Sequence, residues 1–249
     1  MSDTKTQIHD GENVSSTGVV SILMIGQSNM AGRGELSDVE PIKNPDCYSL
    51  RMGRWQPMIE PVNPDRPHWG VEYPSGVSLA ASFADELSRH LGGKVGLIPA
   101  ADGGTSILKW MPGTPLFDYA VMLTKLAMRI SDFGGIIWHQ GESDCFMNPD
   151  EYTCRLVEVM TEFRRQIGCG DFPIILGEVS ESCAEKWNIS KTAKEINRAI
   201  HNAAEKLGNA SVASSAGLAL KPDGIHFNSV SLRELGRRYF EEYKKVTNK

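Results

Sequence analysis

The sequence predicts an α/β protein with a parallel sheet covered on both faces by helices. Two observations carry that expectation. Short apolar runs rich in β-branched residues alternate with amphipathic stretches of helical length, and 249 residues are enough to bury one sizeable core. Residues 1 to 16 are polar and show neither periodicity, so they read as a flexible arm ahead of one domain spanning 17–249.

The first strand is expected at "GVVSILMIG", residues 18–26. A continuous apolar run that stops at a glycine suits a strand buried on both faces. Shorter runs at "GKVGLIPA", "GGIIWHQ", "FPIILGEVS" and "NASVASS" supply four more strands. Between them lie helical patterns at "GVSLAASFADELSRHL", "LFDYAVMLTKLAMRIS", "PDEYTCRLVEVMTEFRRQI" and "SKTAKEINRAIHNAAEKL", and "SVSLRELGRRYFEEYKKV" closes the chain. The third opens on Asn148-Pro149, an N-cap residue followed by a proline in the first turn. The segment from about 35 to 75, rich in proline, reads as a long irregular connection that either roofs a pocket or pads the surface.

Composition narrows the partners. A net charge of -5, a pI near 5.7 and the lack of any Lys/Arg cluster argue against nucleic acid. Cys47, Cys145, Cys154, Cys169 and Cys183 are odd in number and contain no C-x-x-C pair, so reduced, mostly buried thiols are expected rather than disulfides or a zinc site. No apolar leader stands in "MSDTKTQIHDGENVSSTG", and no run approaches the roughly 20 apolar residues of a membrane span. A cytoplasmic protein without membrane partners is the expectation.

In open parallel sheets ligands bind beyond the carboxyl ends of the strands. Ser28 follows the first expected strand, Gly103 and Gly104 the second, Gln140 to Glu142 the third, and His226 lies beyond the fifth. Four separated stretches therefore meet on one edge. A serine hydroxyl is a weak nucleophile until a base takes its proton. His139 and His226 are both placed to do so, and "DGIH" favours His226 because Asp223 can fix its tautomer from the same loop. Glu142 and Asp144 in "HQGESD" offer rival carboxylates, so the acid stays open between Asp223 and Glu142. The simpler reading of Ser28 is a cap on a helix starting near Met30.

An attacked ester develops charge on its carbonyl oxygen, and each preorganised donor to it is worth about 3 kcal/mol. The Ser28 N–H, the Gly104 N–H and the Gln140 amide are the candidates. "GQSNM" does not match the G-x-S-x-G elbow, since Met30 fills the last position. His139-x-x-Glu142 matches no metalloprotease pattern because Ser143 stands where a second histidine is needed, and "GGKV" lacks the rest of a P-loop. Neither metal nor cofactor is expected. Arg33, Trp55, Trp69, Trp110 and Trp187 are weaker candidates for holding a sugar.

Taken in order, "GQSNMAGRG", "GGTSI", "WHQGESD" and "DGIHF" resemble the blocks of the SGNH hydrolase superfamily, in the branch of carbohydrate esterase family 6 and the sialate O-acetylesterases. The resemblance runs from about residue 20 to 240. It implies a flavodoxin-like three-layer sandwich on a five-stranded sheet of order 2-1-3-4-5, and removal of O-acetyl groups from a carbohydrate of the acetylxylan or sialate type. By the same resemblance Ser28 is the nucleophile, His226 and Asp223 the base and acid, and Ser28, Gly104 and Gln140 the oxyanion donors. Glu142 is an alternative or supporting acid. Gln27 and Asn29 are expected to be framework amides that hold the nucleophile's turn. The rival readings are a non-catalytic carbohydrate-binding protein and a lipase or thioesterase on the same scaffold.

Overall fold

The computed structural model describes residues 18–64, 66–68, 71–182 and 190–248. The expected arm at 1–16, and with it Trp69, Cys183 and Trp187, lies outside the described residues.

Strand β1 (Val19–Gly26) occupies the centre of the sheet, as its uninterrupted apolar run requires. Its alternate side chains enter two separate cores. Leu23 and Ile25 face one, Ile22 and Met24 the other, and all four are fully buried. Around it stand β2 (Cys47–Arg51), β3 (Arg54–Pro57), β6 (Lys94–Pro99), β7 (Asp132–His139), β8 (Ile174–Gly177) and β9 (Ala210–Ala213), in the order β3-β2-β6-β1-β7-β8-β9. A separate two-stranded hairpin joins β4 (Arg66–His68) to β5 (Val71–Tyr73).

The expected five-stranded sheet is thus corrected to one of seven. The five strands anticipated from the sequence form its β6-β1-β7-β8-β9 portion and run parallel. Strand β2 adds a sixth parallel partner beside β6, and β3 turns back antiparallel on β2. Both extra strands fall within the segment read as irregular. Their pattern is weak for a physical reason: β3 has three of its four residues exposed, so no apolar alternation marks it.

Helices α2 (Leu79–Leu91) and α6 (Ser229–Thr247) cover one face of the sheet through Phe83, Leu87, Leu235 and Tyr239. Helices α3 (Pro115–Ala127), α4 (Pro149–Ile167) and α5 (Ser190–Leu207) cover the other through Phe117, Leu156, Phe163 and Ile196. Each of three helices starts on a side-chain cap that satisfies N–H groups with no intrahelical partner. Ser78 accepts from Ala80 N, Asn148 from Asp150 N and Glu151 N, and Asn228 from Ser231 N.

The carboxyl ends of β1 and β7 come unusually close. Gly26 pairs with His139, its φ is 127°, and a β-carbon there would run into the His139 backbone. Only glycine admits that approach without strain. The next residue, Gln27, donates its N–H to His139 O at 2.9 Å, which fastens the start of the following turn to the neighbouring strand.

Candidate active site

Ser28 opens a four-residue turn of helix, α1 (Ser28–Ala31), directly beyond β1. It is not a cap: Gln27 holds the N-cap position, and no side chain bonds there. Instead Ser28 Oγ meets His226 Nε2 at 2.9 Å. The opposite nitrogen of the same ring, Nδ1, meets Asp223 Oδ2 at 2.9 Å. Asp223 Oδ1 accepts the N–H groups of Ile225 and His226, each at 2.9 Å, so the carboxylate is clamped by its own loop. Burial pushes the Asp223 carboxyl up, but those two N–H groups and the imidazole outweigh it and hold it at about 2.

Ser28 and His226 share a cavity of about 470 Å³ with Gln27, Arg33, Gly104 and Glu142. The carboxyl-edge rule thus brings together residues from four separated stretches. Gly103 packs close to Ser28, since a β-carbon on it would stand 3.6 Å from Ser28 Cβ. Gly104 has φ +72° with open space on its side-chain face, and its N–H donates to no group among the described residues. A second cavity of about 580 Å³ adjoins the first, and Arg33 and His226 stand in the walls of both. The ends of the proline-rich segment, Glu35 and Pro74 among them, line this second space.

Glu142 does not reach His226. Its Oε1 accepts from Asn29 Nδ2 at 2.6 Å and faces His139 Nε2 at 3.5 Å, and its side chain is only 5% exposed. Burial pushes this carboxyl up, yet the His139 ring and the Asn29 amide prevail and leave it below its ordinary value. Asn29 in turn accepts from Phe227 N at 3.1 Å, so it joins Glu142 to the loop that carries His226.

His139, the rival base, is fully buried. Burial and the Glu142 charge push the Tyr239 hydroxyl well above its ordinary value, so it stays protonated and donates to Trp138 O at 2.8 Å. His139 Nδ1 must then donate to the Tyr239 hydroxyl oxygen, 2.9 Å away. Its other nitrogen faces Glu142 at 3.5 Å and the ring packs edge-on to Phe227, while Ser28 Oγ pairs with His226 instead.

The Gln140 expectation needs correction. This side chain is fully buried and is not among the residues that line the cavity. Its Nε2 faces Asp144 Oδ2 at 2.5 Å, Thr105 O at 3.0 Å and Gln27 Oε1 at 3.2 Å, which leaves neither N–H for a ligand. Asp144, which the sequence showed only as one more carboxylate, is the hub of that arrangement. It also accepts from Ser106 Oγ at 2.5 Å and Ile107 N at 2.7 Å, tying the loop after β7 to the loop after β6. No local sequence signal marks it, because Ser106 and Ile107 reach it from the loop after β6.

The aromatic candidates disperse. Trp110 is fully buried, donates to Thr105 Oγ1 and stacks edge-on with Trp138 at 5.5 Å. Trp55 packs against Gly96 in the sheet. Of the described cysteines, Cys47 and Cys145 are buried, while Cys154 and Cys169 are exposed, against the expectation of mostly buried thiols. No helix among the described residues is long and apolar enough to cross a membrane.

Residues 19–245 match the model of the family described as carbohydrate esterase, sialic acid-specific acetylesterase. The chain belongs to this family. It is accordingly a carboxylic ester hydrolase that deacetylates carbohydrates. A probable carbohydrate esterase of Arabidopsis thaliana is 26% identical to this esterase over 242 residues, covering 89% of this chain and 88% of the plant protein. A crystal structure of an Arabidopsis thaliana protein superposes with a TM-score of 0.79 at 23% identity, over 92% of this chain and 98% of that one. An acetyl xylan esterase from Geobacillus stearothermophilus shares the fold, with a TM-score of 0.57 at 15% identity over 90% and 94% of the two chains.

Proposed function

We propose that this esterase works through an acetyl-enzyme formed on Ser28, with His226 as base and Asp223 as the acid that orients it. The observation that carries the reading is the unbroken line from Asp223 Oδ2 through His226 to Ser28 Oγ, two contacts of 2.9 Å opening on one cavity.

In the first half-reaction Ser28 Oγ bonds to the acetyl carbonyl carbon while its proton passes to His226 Nε2. The carbonyl electrons move onto oxygen, where the N–H groups of Ser28 and Gly104 receive the charge. Collapse of the adduct breaks the bond to the sugar oxygen, which leaves as a hydroxyl with the proton from His226. In the second half a water gives its proton to the same Nε2, attacks the acetyl carbon and releases acetate, and Ser28 regains its proton. Asp223 keeps the Nδ1 proton toward itself throughout and stabilises the transient imidazolium. Glu142 serves as a support for the loop rather than as the acid, because its contacts are Asn29 and His139.

The substrate is an O-acetylated carbohydrate of the acetylxylan or sialate type. The experiment is acetate release from p-nitrophenyl acetate, acetylated xylan and an O-acetylated sialate, with p-nitrophenyl octanoate as the long-chain rival, by wild type and Ser28→Ala. Turnover of acetyl esters, absent from the folded variant, is expected. Activity retained in Ser28→Ala, or preference for the octanoyl ester, would overturn the assignment.

A further inference from the structure

Two cavities meet at His226, and the acyl-enzyme chemistry occupies only one of them. The cavity of about 470 Å³ holds Ser28 and Gly104, whose N–H groups are the oxyanion donors of that reading. The adjoining space of about 580 Å³ contains neither residue, but His226 and Asp223 stand in its wall.

The division has a chemical direction. His226 Nε2 returns its proton to the leaving sugar oxygen, so that oxygen must lie within hydrogen-bond reach of the imidazole. The carbonyl oxygen of the same adduct turns toward the N–H donors instead. Both oxygens sit on one tetrahedral carbon and point apart, so the alcohol part of the ester extends on the His226 side, where the second space opens.

The wall of that space suits hydroxyl groups. Lys221 Nζ donates to Glu35 Oε1 at 2.6 Å and to Arg33 O at 2.7 Å, which leaves one of its three N–H groups. Glu35 Oε2 accepts no hydrogen bond among the described residues. One ion pair thus offers a donor and an acceptor side by side, the complement of two neighbouring hydroxyls on a sugar ring. Leu36 and Pro74 in the same wall supply apolar faces for the C–H edges of such a ring. Arg33 marks the border, because it stands in the walls of both cavities. Its Nη1 donates to Gly32 O at 2.6 Å, and its Nη2 lies 2.5 Å from where a β-carbon on Gly103 would be, so glycine at 103 gives the guanidinium room beside Ser28.

We propose that the 580 Å³ space is the subsite for the carbohydrate on the leaving oxygen, with the Lys221–Glu35 pair binding two neighbouring hydroxyls of its ring. The proposal rests on the acyl-enzyme reading of Ser28 and His226. Binding in this space is remote from the reacting carbon, so it separates sugar acetates from acetates of small alcohols.

Two variants test it. Ser37 is exposed and lines this space but not the cavity with Ser28, so Ser37→Trp fills the subsite from the surface. Glu35→Gln keeps the shape of the side chain and removes its charge. The measurement is acetate release from acetylated xylobiose, from an O-acetylated sialate and from ethyl acetate, whose leaving group is too small to enter the space. For whichever carbohydrate ester wild type turns over, the ratio of its kcat/KM to that of ethyl acetate is expected to fall about tenfold in each variant, the size of one hydrogen bond to a charged group. Ser37→Trp should keep its kcat/KM on ethyl acetate within threefold of wild type. A ratio that falls less than threefold in either folded variant overturns the proposal, and so does a wild type that turns over ethyl acetate but neither carbohydrate ester. If Ser37→Trp does not fold, the ratio in Glu35→Gln decides alone. Ser28→Ala runs in parallel: turnover retained there sinks the acyl-enzyme reading, whereas its loss together with an unchanged ratio sinks the subsite alone.

Discussion

Asp223 and His226 share one loop, and the carboxylate Oδ2 stands 2.9 Å from the imidazole Nδ1 while Oδ1 takes the backbone N–H of His226 itself. The carboxylate and the imidazole, the proposed acid and base, are therefore positioned by a single turn rather than by the packing of two distant elements. Asp223→Asn keeps the size of the group but favours the wrong imidazole tautomer. We expect kcat to fall by about three to four orders of magnitude with KM little changed. Steady-state kinetics on p-nitrophenyl acetate check it, with Glu142→Gln alongside. A larger loss in the Glu142 variant than in the Asp223 variant would reverse the assignment of the acid.

Asn29 is the joint between the turn that carries Ser28 and the loop that carries His226. It donates to Glu142 at 2.6 Å and accepts from Phe227 N at 3.1 Å, and it is fully buried. Asn29→Ala leaves a buried N–H and a buried carboxylate short of a partner, which costs about 1–3 kcal/mol each. A displaced His226 loop loses alignment with Ser28, and misplacement on the order of 1 Å costs about 100-fold in rate. The expected result is a lower melting temperature together with a 10- to 100-fold lower kcat. Unchanged stability and turnover would remove Asn29 from the framework.

What the sequence made legible depends on whether a residue's partners are local. The run at 18–26 announces a central strand because both of its faces are buried, and "DGIH" announces a base with its acid because one loop holds both. The edge rule then brings Ser28 to them without any knowledge of packing. Strand β3 escaped because an edge of the sheet needs no apolar alternation, and β2 beside it is only five residues long. Gln140 was misread because its fate depends on Asp144, Thr105 and Gln27, which three different loops deliver. The same long-range dependence hid the choice between Asp223 and Glu142, which turns on where Asn29 lies.

A buried ion pair anchors the proline-rich segment to α6. Arg233 contacts both carboxylate oxygens of Glu60, at 2.6 and 2.5 Å, with side chains 9% and 4% exposed. Removing one partner strands a buried charge, so Glu60→Ala is expected to cost about 3–5 kcal/mol, whereas the double change Glu60→Leu with Arg233→Met should recover much of that loss. Urea denaturation reads both. Neither residue lines the cavity with Ser28, so kcat of the folded double variant should stay within threefold of wild type.

Asp223 also predicts a pH dependence of stability. Its carboxyl lies at about 2 in the folded chain against an ordinary value of 3.8. A carboxylate whose folded value is depressed binds fewer protons folded than unfolded, so its contribution is fully present above pH 4 and is lost as pH falls toward 2. Asp223→Asn abolishes that titration. The stability gap between wild type and the variant should therefore be flat from pH 7 to about pH 5 and narrow steadily below pH 4. Urea midpoints measured at pH 7, 5, 4 and 3 test it. A gap that widens on acidification would mean that Asp223 takes up a proton on folding, and the clamp formed by Ile225 N, His226 N and the imidazole would not be holding a charge.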